Sequence, residues 1–313
     1  MVEAIVLWNE PNNLSHWNFH LDPGWNRFAE MVKLASRSIR SINADVPIVL
    51  GGVSSCDCDF LRTMAAHSVL PHVDVVGVHG FPLDWNHWTI DEWPARIAEA
   101  GEVSGKPVWV LEVGASSFGA EEVQVFGLQR TVDLLRNRVE RIHWYSLMDL
   151  PPRWSAETRH KEAEGSSYYR HYYMGLVNSR GMPKLSFDEF PRDGSVGFCQ
   201  WFHFEDPRLD DAVRMMKDLG VRYLRTGLSW ADSFRPHATQ WFDRMMNALQ
   251  DFDVALTLCF TPAHLGLEEH HTSPPIDNRQ FADFAAWAVE RYAPRLALQQ
   301  QANSFSPKGM STI

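Results

Sequence analysis

Apolar runs of strand length alternate with amphipathic stretches along almost the whole chain, and this alternation constrains the fold more than any other feature. The first run is "EAIVLW". The stretch "WNRFAEMVKLASRSIRSI" after it puts Phe28, Met31, Leu34, Ala35, Ile39 and Ile42 on one helical face. "PIVLGG", "VDVVGVHGF", "PVWVLEVG" and "IHWYSLMD" supply four more strands, each separated from the next by a helical pattern. After a long polar loop come "SVGFCQWF", "VRYLRTGLSW" and "VALTLCF", with their own helices between and after them. Strand–helix alternation is the pattern of a parallel sheet, because parallel neighbours need a crossover connection. Eight such units fit a closed (β/α)8 TIM barrel of about 250 residues plus loops. An open, doubly wound α/β sheet is the competing architecture. Residues 1–294 are expected to form one barrel. The stretch 295–313, rich in Gln, Ser and Pro without a period, is expected to be a mobile tail.

In a barrel, chemistry gathers at the C-terminal ends of the strands. Two carboxylates occupy such ends: Glu10 after "AIVLWN" and Glu112 after "VWVL". A strand of Val, Ile and Leu has no packing use for an ionisable group, whose desolvation costs several kcal/mol unless it is paired. Asn9, His79 and Trp144 also close or end strands. Two carboxyl groups across a cleft are what glycosidic cleavage needs: one protonates the leaving oxygen, the other attacks the anomeric carbon or activates water.

Composition narrows the partners. The formal charge is −10 and no Lys/Arg-rich block appears, which argues against nucleic acid and anionic membrane surfaces. There are 13 Trp, several in polar surroundings such as "LDWNHWTIDEW", so Trp17, Trp85 and Trp88 become candidates for stacking on a flat sugar face. Cys56, Cys58, Cys199 and Cys259 form no CxxC pair, and Cys199 and Cys259 read as small core residues. His16 and His20 have helix-compatible ligand spacing and His270–His271 is a vicinal pair, but no third ligand accompanies either; no metal and no cofactor is expected. Without a charged leader or an apolar run of roughly 20 residues, the expected location is the cytoplasm.

"WNEPN" after one strand, a Glu ending another about a hundred residues later and a Trp on the next strand resemble the retaining glycoside hydrolases of clan A, nearest the β-xylosidase-like family 39. "GLVNSRGMPKLSF" is similar to the segment after that family's last barrel strand. The resemblance implies a retaining β-glycoside hydrolase acting on a carbohydrate substrate. Glu10 would be the acid/base, Glu112 the nucleophile and Asn9 the partner of a sugar 2-hydroxyl. It also implies roles for Arg225 beside the nucleophile, for His79 and for the aromatic Trp144. Phe81 stands where relatives often carry a Tyr, which removes a hydroxyl donor to Glu112. On this resemblance the strands run in the permuted order 4-5-6-7-8-1-2-3, with residues 1–190 matching family strands 4–8 and 195–294 strands 1–3. "LTLCF" and "PIVLGG" should then flank "AIVLW". Two rivals are a non-catalytic sugar-binding barrel and a fragment of a tandem or misjoined chain.

Overall fold

The computed structural model describes residues 1–151 and 167–293. Eight parallel strands close into a barrel: β1 (Val2–Leu7), β2 (Ile48–Val53), β3 (Val75–Gly80), β4 (Val108–Val113), β5 (Ile142–Tyr145), β6 (Gly197–Cys199), β7 (Tyr223–Ser229) and β8 (Asp253–Cys259). Helices alternate with them: α1 (Asn26–Ile42), α2 (Cys58–Ala66), α3 (Trp93–Ser104), α4 (Glu121–Leu135), α5 (Leu185–Asp188), α6 (Leu209–Asp218), α7 (Ala238–Ala248) and α8 (Asn278–Tyr292). The strands follow one another around the ring in chain order. The permuted order 4-5-6-7-8-1-2-3 is therefore corrected: every strand lies beside its predecessor and successor, and β8 closes onto β1. As expected, β1 pairs with β2 on one side, Ile5 opposite Ile48, and with β8 on the other, Leu7 opposite Leu258.

The periodicities explain the layers. In α1, Phe28, Met31, Val32, Ala35 and Ile39 are buried at helical spacing against the barrel. Each large apolar side chain so buried contributes about 1.5–3 kcal/mol as an upper estimate. Inside the ring, Ala4, Val6, Val49, Trp109, Leu111 and Ala255 form a separate apolar plug. Below it Arg141 pairs with Glu3 and lies 4.0 Å over the ring of Tyr223, closing the N-terminal end. With the lower barrel filled, only the upper end is left for polar groups.

Strand β6 is three residues long, much shorter than the run "SVGFCQWF" suggests. The segment after β5 is held by a buried polar strap. Asp149 Oδ1 accepts from Lys184 Nζ at 2.7 Å and from the Gly175 amide at 2.8 Å, while Gln124 donates to the carbonyls of Ala115 and Met174. All four cysteines are free and buried. No described helix is long and apolar enough to cross a membrane. The expected tail at 295–313 and most of the polar loop after β5 lie outside the described residues.

Candidate active site at the C-terminal mouth

Glu10 lies three residues beyond β1, in a turn with two non-glycine residues in the left-handed region: Trp8 at φ 71° and Glu10 itself at φ 39°. Such conformations cost on the order of 1–3 kcal/mol each and persist only where surrounding contacts over-determine them. Here those contacts come from distant sequence. The Trp8 amide bonds the Leu258 carbonyl of β8, and the Glu10 amide bonds the Gly52 carbonyl of β2. Asn12 donates to the Ser54 carbonyl and to Asp57, the residue whose carboxylate also caps α2. The carboxylate early in the chain is thus fixed by β8, β2 and the loop after β2.

The Glu10 side chain is 8 % exposed. Its Oε1 accepts from His79 Nδ1 at 2.9 Å, its Oε2 accepts from Asn13 Nδ2 at 2.7 Å, and His16 Nδ1 lies 3.5 Å from Oε2. Burial works to raise its pKa, but the hydrogen bond and charge of His79, with His16 and Asn13, outweigh it and hold the group at about 2. His16 is pushed the opposite way from its usual range by burial, against the pull of Glu10 and Glu112.

Glu112 is the penultimate residue of β4 and pairs in register with His79 of β3 across a local irregularity. His79 Nδ1 lies 3.6 Å from Glu112 Oε2, and Arg225 Nη1 of β7 bonds Glu112 Oε1. The other guanidinium nitrogen, Nη2, donates to Asn9 Oδ1. Arg225 therefore ties the Glu112 carboxylate to the residue beside Glu10, leaving Asn9 only its NH2 donors for a ligand. One oxygen of each carboxylate and one nitrogen of His79 lie within 4.8 Å of one another. That spacing would also suit a small cation. However, the Arg225 charge already sits on Glu112 and the His79 donor on Glu10, so the trio reads as a charge-paired catalytic set rather than a metal nest.

The imidazole of His79 is fully buried, and its Nε2 has no hydrogen-bond partner among the described residues. It lies over Gly52, where a Cβ would come within 1.7 Å of Nε2. Gly52 is required by close approach, and the ring has one orientation available.

The expected aromatics divide. Trp144 is fully buried and is not brought to the site. In β5 it is registered with Phe198, whereas its neighbour Tyr145 is level with Cys199, which contacts Arg225. Adjacent strand residues point to opposite faces, so Tyr145 takes the inward place assigned to Trp144. Trp88 is also corrected: it is buried, donates to Ser55 Oγ at 3.2 Å and packs edge-on against Trp93. Trp17 is buried beneath Trp8. Trp85 remains half-buried, tilted over Phe81 at 4.5 Å, with Phe81 edge-on to Tyr145 at 5.9 Å. Across the mouth, Trp201 covers Gly227, where a Cβ would meet its ring at 2.1 Å, and stands edge-on to Phe260 at 5.7 Å. The sequence signals missed Tyr145, Trp201 and His16 as site residues. Strand phase would have found the first, since His143 and Tyr145 share a parity.

No family model matches the chain. A stretch of 111 residues is 28% identical to a Niallia circulans protein described as "Uncharacterized protein in bgaB 5'region". The match spans 34% of this chain and only 29% of that protein's length.

Proposed function

We propose that the protein is a retaining β-glycoside hydrolase of β-xylosidase-like type, cleaving O-glycosidic bonds by double displacement. One observation carries the reading: two carboxylates on separate strand ends, with oxygens within 4.8 Å through a shared histidine contact, at the chemically active end of a barrel. Retaining enzymes hold their carboxyl groups roughly 5–5.5 Å apart, whereas inverting ones leave room for a water at about 6.5–9.5 Å. Glu112, ionised beside Arg225, attacks the anomeric carbon; the C–O bond to the leaving group breaks and a glycosyl ester forms. Glu10 delivers a proton to the departing oxygen, then takes one from the water that opens the ester. Asn9 donates to the sugar 2-hydroxyl, and Trp85, Tyr145 and Trp201 offer aromatic faces. The resemblance in "WNEPN" supports the same roles.

A non-catalytic sugar-binding barrel is the second reading. It is favoured by the state of Glu10, whose two oxygens are both engaged and which is held at about 2, far from a resting proton donor. Incubation with 2-deoxy-2-fluoro-β-glycosides of xylose and glucose carrying a dinitrophenyl leaving group separates the two. The hydrolase gains one fluoroglycosyl mass on the Glu112 peptide; the binder gains none. Glu112→Ala should abolish turnover of aryl β-glycosides while keeping the fold.

A further inference from the structure

Phe81 deprives the site of a hydroxyl donor beside Glu112, yet another donor stands on the far side of that carboxylate. Cys199 ends β6, level with Tyr145 of β5 and Arg225 of β7. Its Sγ accepts from Arg225 Nη1 at 3.2 Å, the same nitrogen that bonds Glu112 Oε1. The thiol is 4 % exposed and lies within hydrogen-bonding reach of the Glu112 carboxylate.

We infer that Cys199 is a positioning residue for the nucleophile, its S–H donating to Glu112 while its sulfur accepts from Arg225. The inference rests on the glycosidase reading of Glu112. The chain of donors runs one way, from guanidinium N–H to sulfur and from S–H to carboxylate, so each atom has a partner only while the thiol keeps its proton. The surroundings enforce this. Burial, then the neighbouring Glu112 charge, raises the thiol's pKa far above its ordinary value, and Arg225 offsets only part of that rise. Cys199 is therefore no nucleophile itself. A thiol is a weak donor, but here it fixes the rotation of a carboxylate that otherwise has Arg225 on one oxygen and a long contact to His79 on the other. The groups facing Glu112 are then Arg225 from β7, Cys199 from β6, and His79 from β3, with Glu10 and His16 from the loop after β1.

The test compares wild type, Cys199→Ala and Cys199→Ser by kcat, KM, the acidic limb of kcat/KM against pH, and the rate of fluoroglycoside labelling. Cys199→Ala should lower kcat and labelling about 10-fold with KM nearly unchanged. It should also move the acidic limb to higher pH, because a donor to the ionised carboxylate has been removed. Cys199→Ser should recover most of kcat and move that limb to lower pH, since a hydroxyl donates more strongly. Opposite movements in the two variants are something lost packing cannot produce, and the Ser variant carries the test alone should Ala fold poorly. If Glu112 becomes labelled in wild type but the limb and labelling rate stay unchanged in the variants, the inference is overturned and the glycosidase reading stands. If wild type takes no label on Glu112, both fall.

Discussion

His79 Nδ1 lies 2.9 Å from Glu10 Oε1 in a place where the imidazole has no solvent exposure. The pair makes Glu10 a carboxylate whose ionised form is stabilised by folding. Its pKa falls from the ordinary 4.5 to about 2 despite burial, which by itself acts the other way. A depressed acid stabilises the folded state above its unfolded pKa and loses that contribution as pH falls through the folded one. The window is therefore pH 4.5 down to 2, and the amount is at most about 3 kcal/mol. Urea midpoints for wild type and Glu10→Gln should converge across that window. Parallel curves would mean that the pair contributes nothing specific to folding.

The same pair bears on catalysis. A group held at about 2 carries almost no proton at neutral pH, so it must gain one when substrate displaces its partners. Turnover should consequently depend steeply on leaving-group acidity, with dinitrophenyl glycosides far ahead of alkyl glycosides. Glu10→Ala should cost about 100-fold or more on alkyl glycosides and much less on dinitrophenyl ones. An equal loss on both would remove Glu10 from the acid role.

Arg225 joins Glu112 and Asn9 with separate nitrogens of one buried guanidinium. Lysine has a single ammonium and cannot hold both. Arg225→Lys should therefore reduce kcat at least 10-fold. Arg225→Met should go further, destabilising by about 3–5 kcal/mol because it leaves a buried carboxylate unpaired. Denaturant titration and steady-state kinetics on the two variants check this; a stable, active Met variant would contradict it.

The strands and the two carboxylates were legible because both depend on local chemistry: apolar runs end, and an ionisable residue follows. What was not legible depends on phase and distance. Whether Trp144 or Tyr145 faces inward turns on a one-residue choice in a strand buried on both sides, where no alternation marks the faces. Trp88 sits in a polar stretch of sequence, yet Ser55 and Trp93 draw it inward. His16 looked like half of a helical pair with His20, but the chain turns there and brings His16 to Glu10 instead. Cys199 read as a filler because its value comes from Arg225, 26 residues away. The permuted strand order failed for another reason: it described relatives, whereas the ring reflects only which strands are bonded.

Gly52 supplies the sharpest test of how the site is held. A methyl group there would stand 1.7 Å from His79 Nε2, far inside contact distance, so the imidazole must move for Gly52→Ala to fold. Any movement lengthens the bond to Glu10 and changes the 3.6 Å approach to Glu112, since both run through Nδ1. Misplacement on the scale of an ångström is enough to cost about 100-fold in rate. The Ala variant should thus lose most of its activity and, with the His79 bond weakened, raise the Glu10 pKa. The stability lost below pH 4.5 should shrink with it. Carbon-detected titration of the Glu10 carboxyl, in wild type and Gly52→Ala, reads this directly; a full rate and an unmoved titration would show that His79 does not hold Glu10.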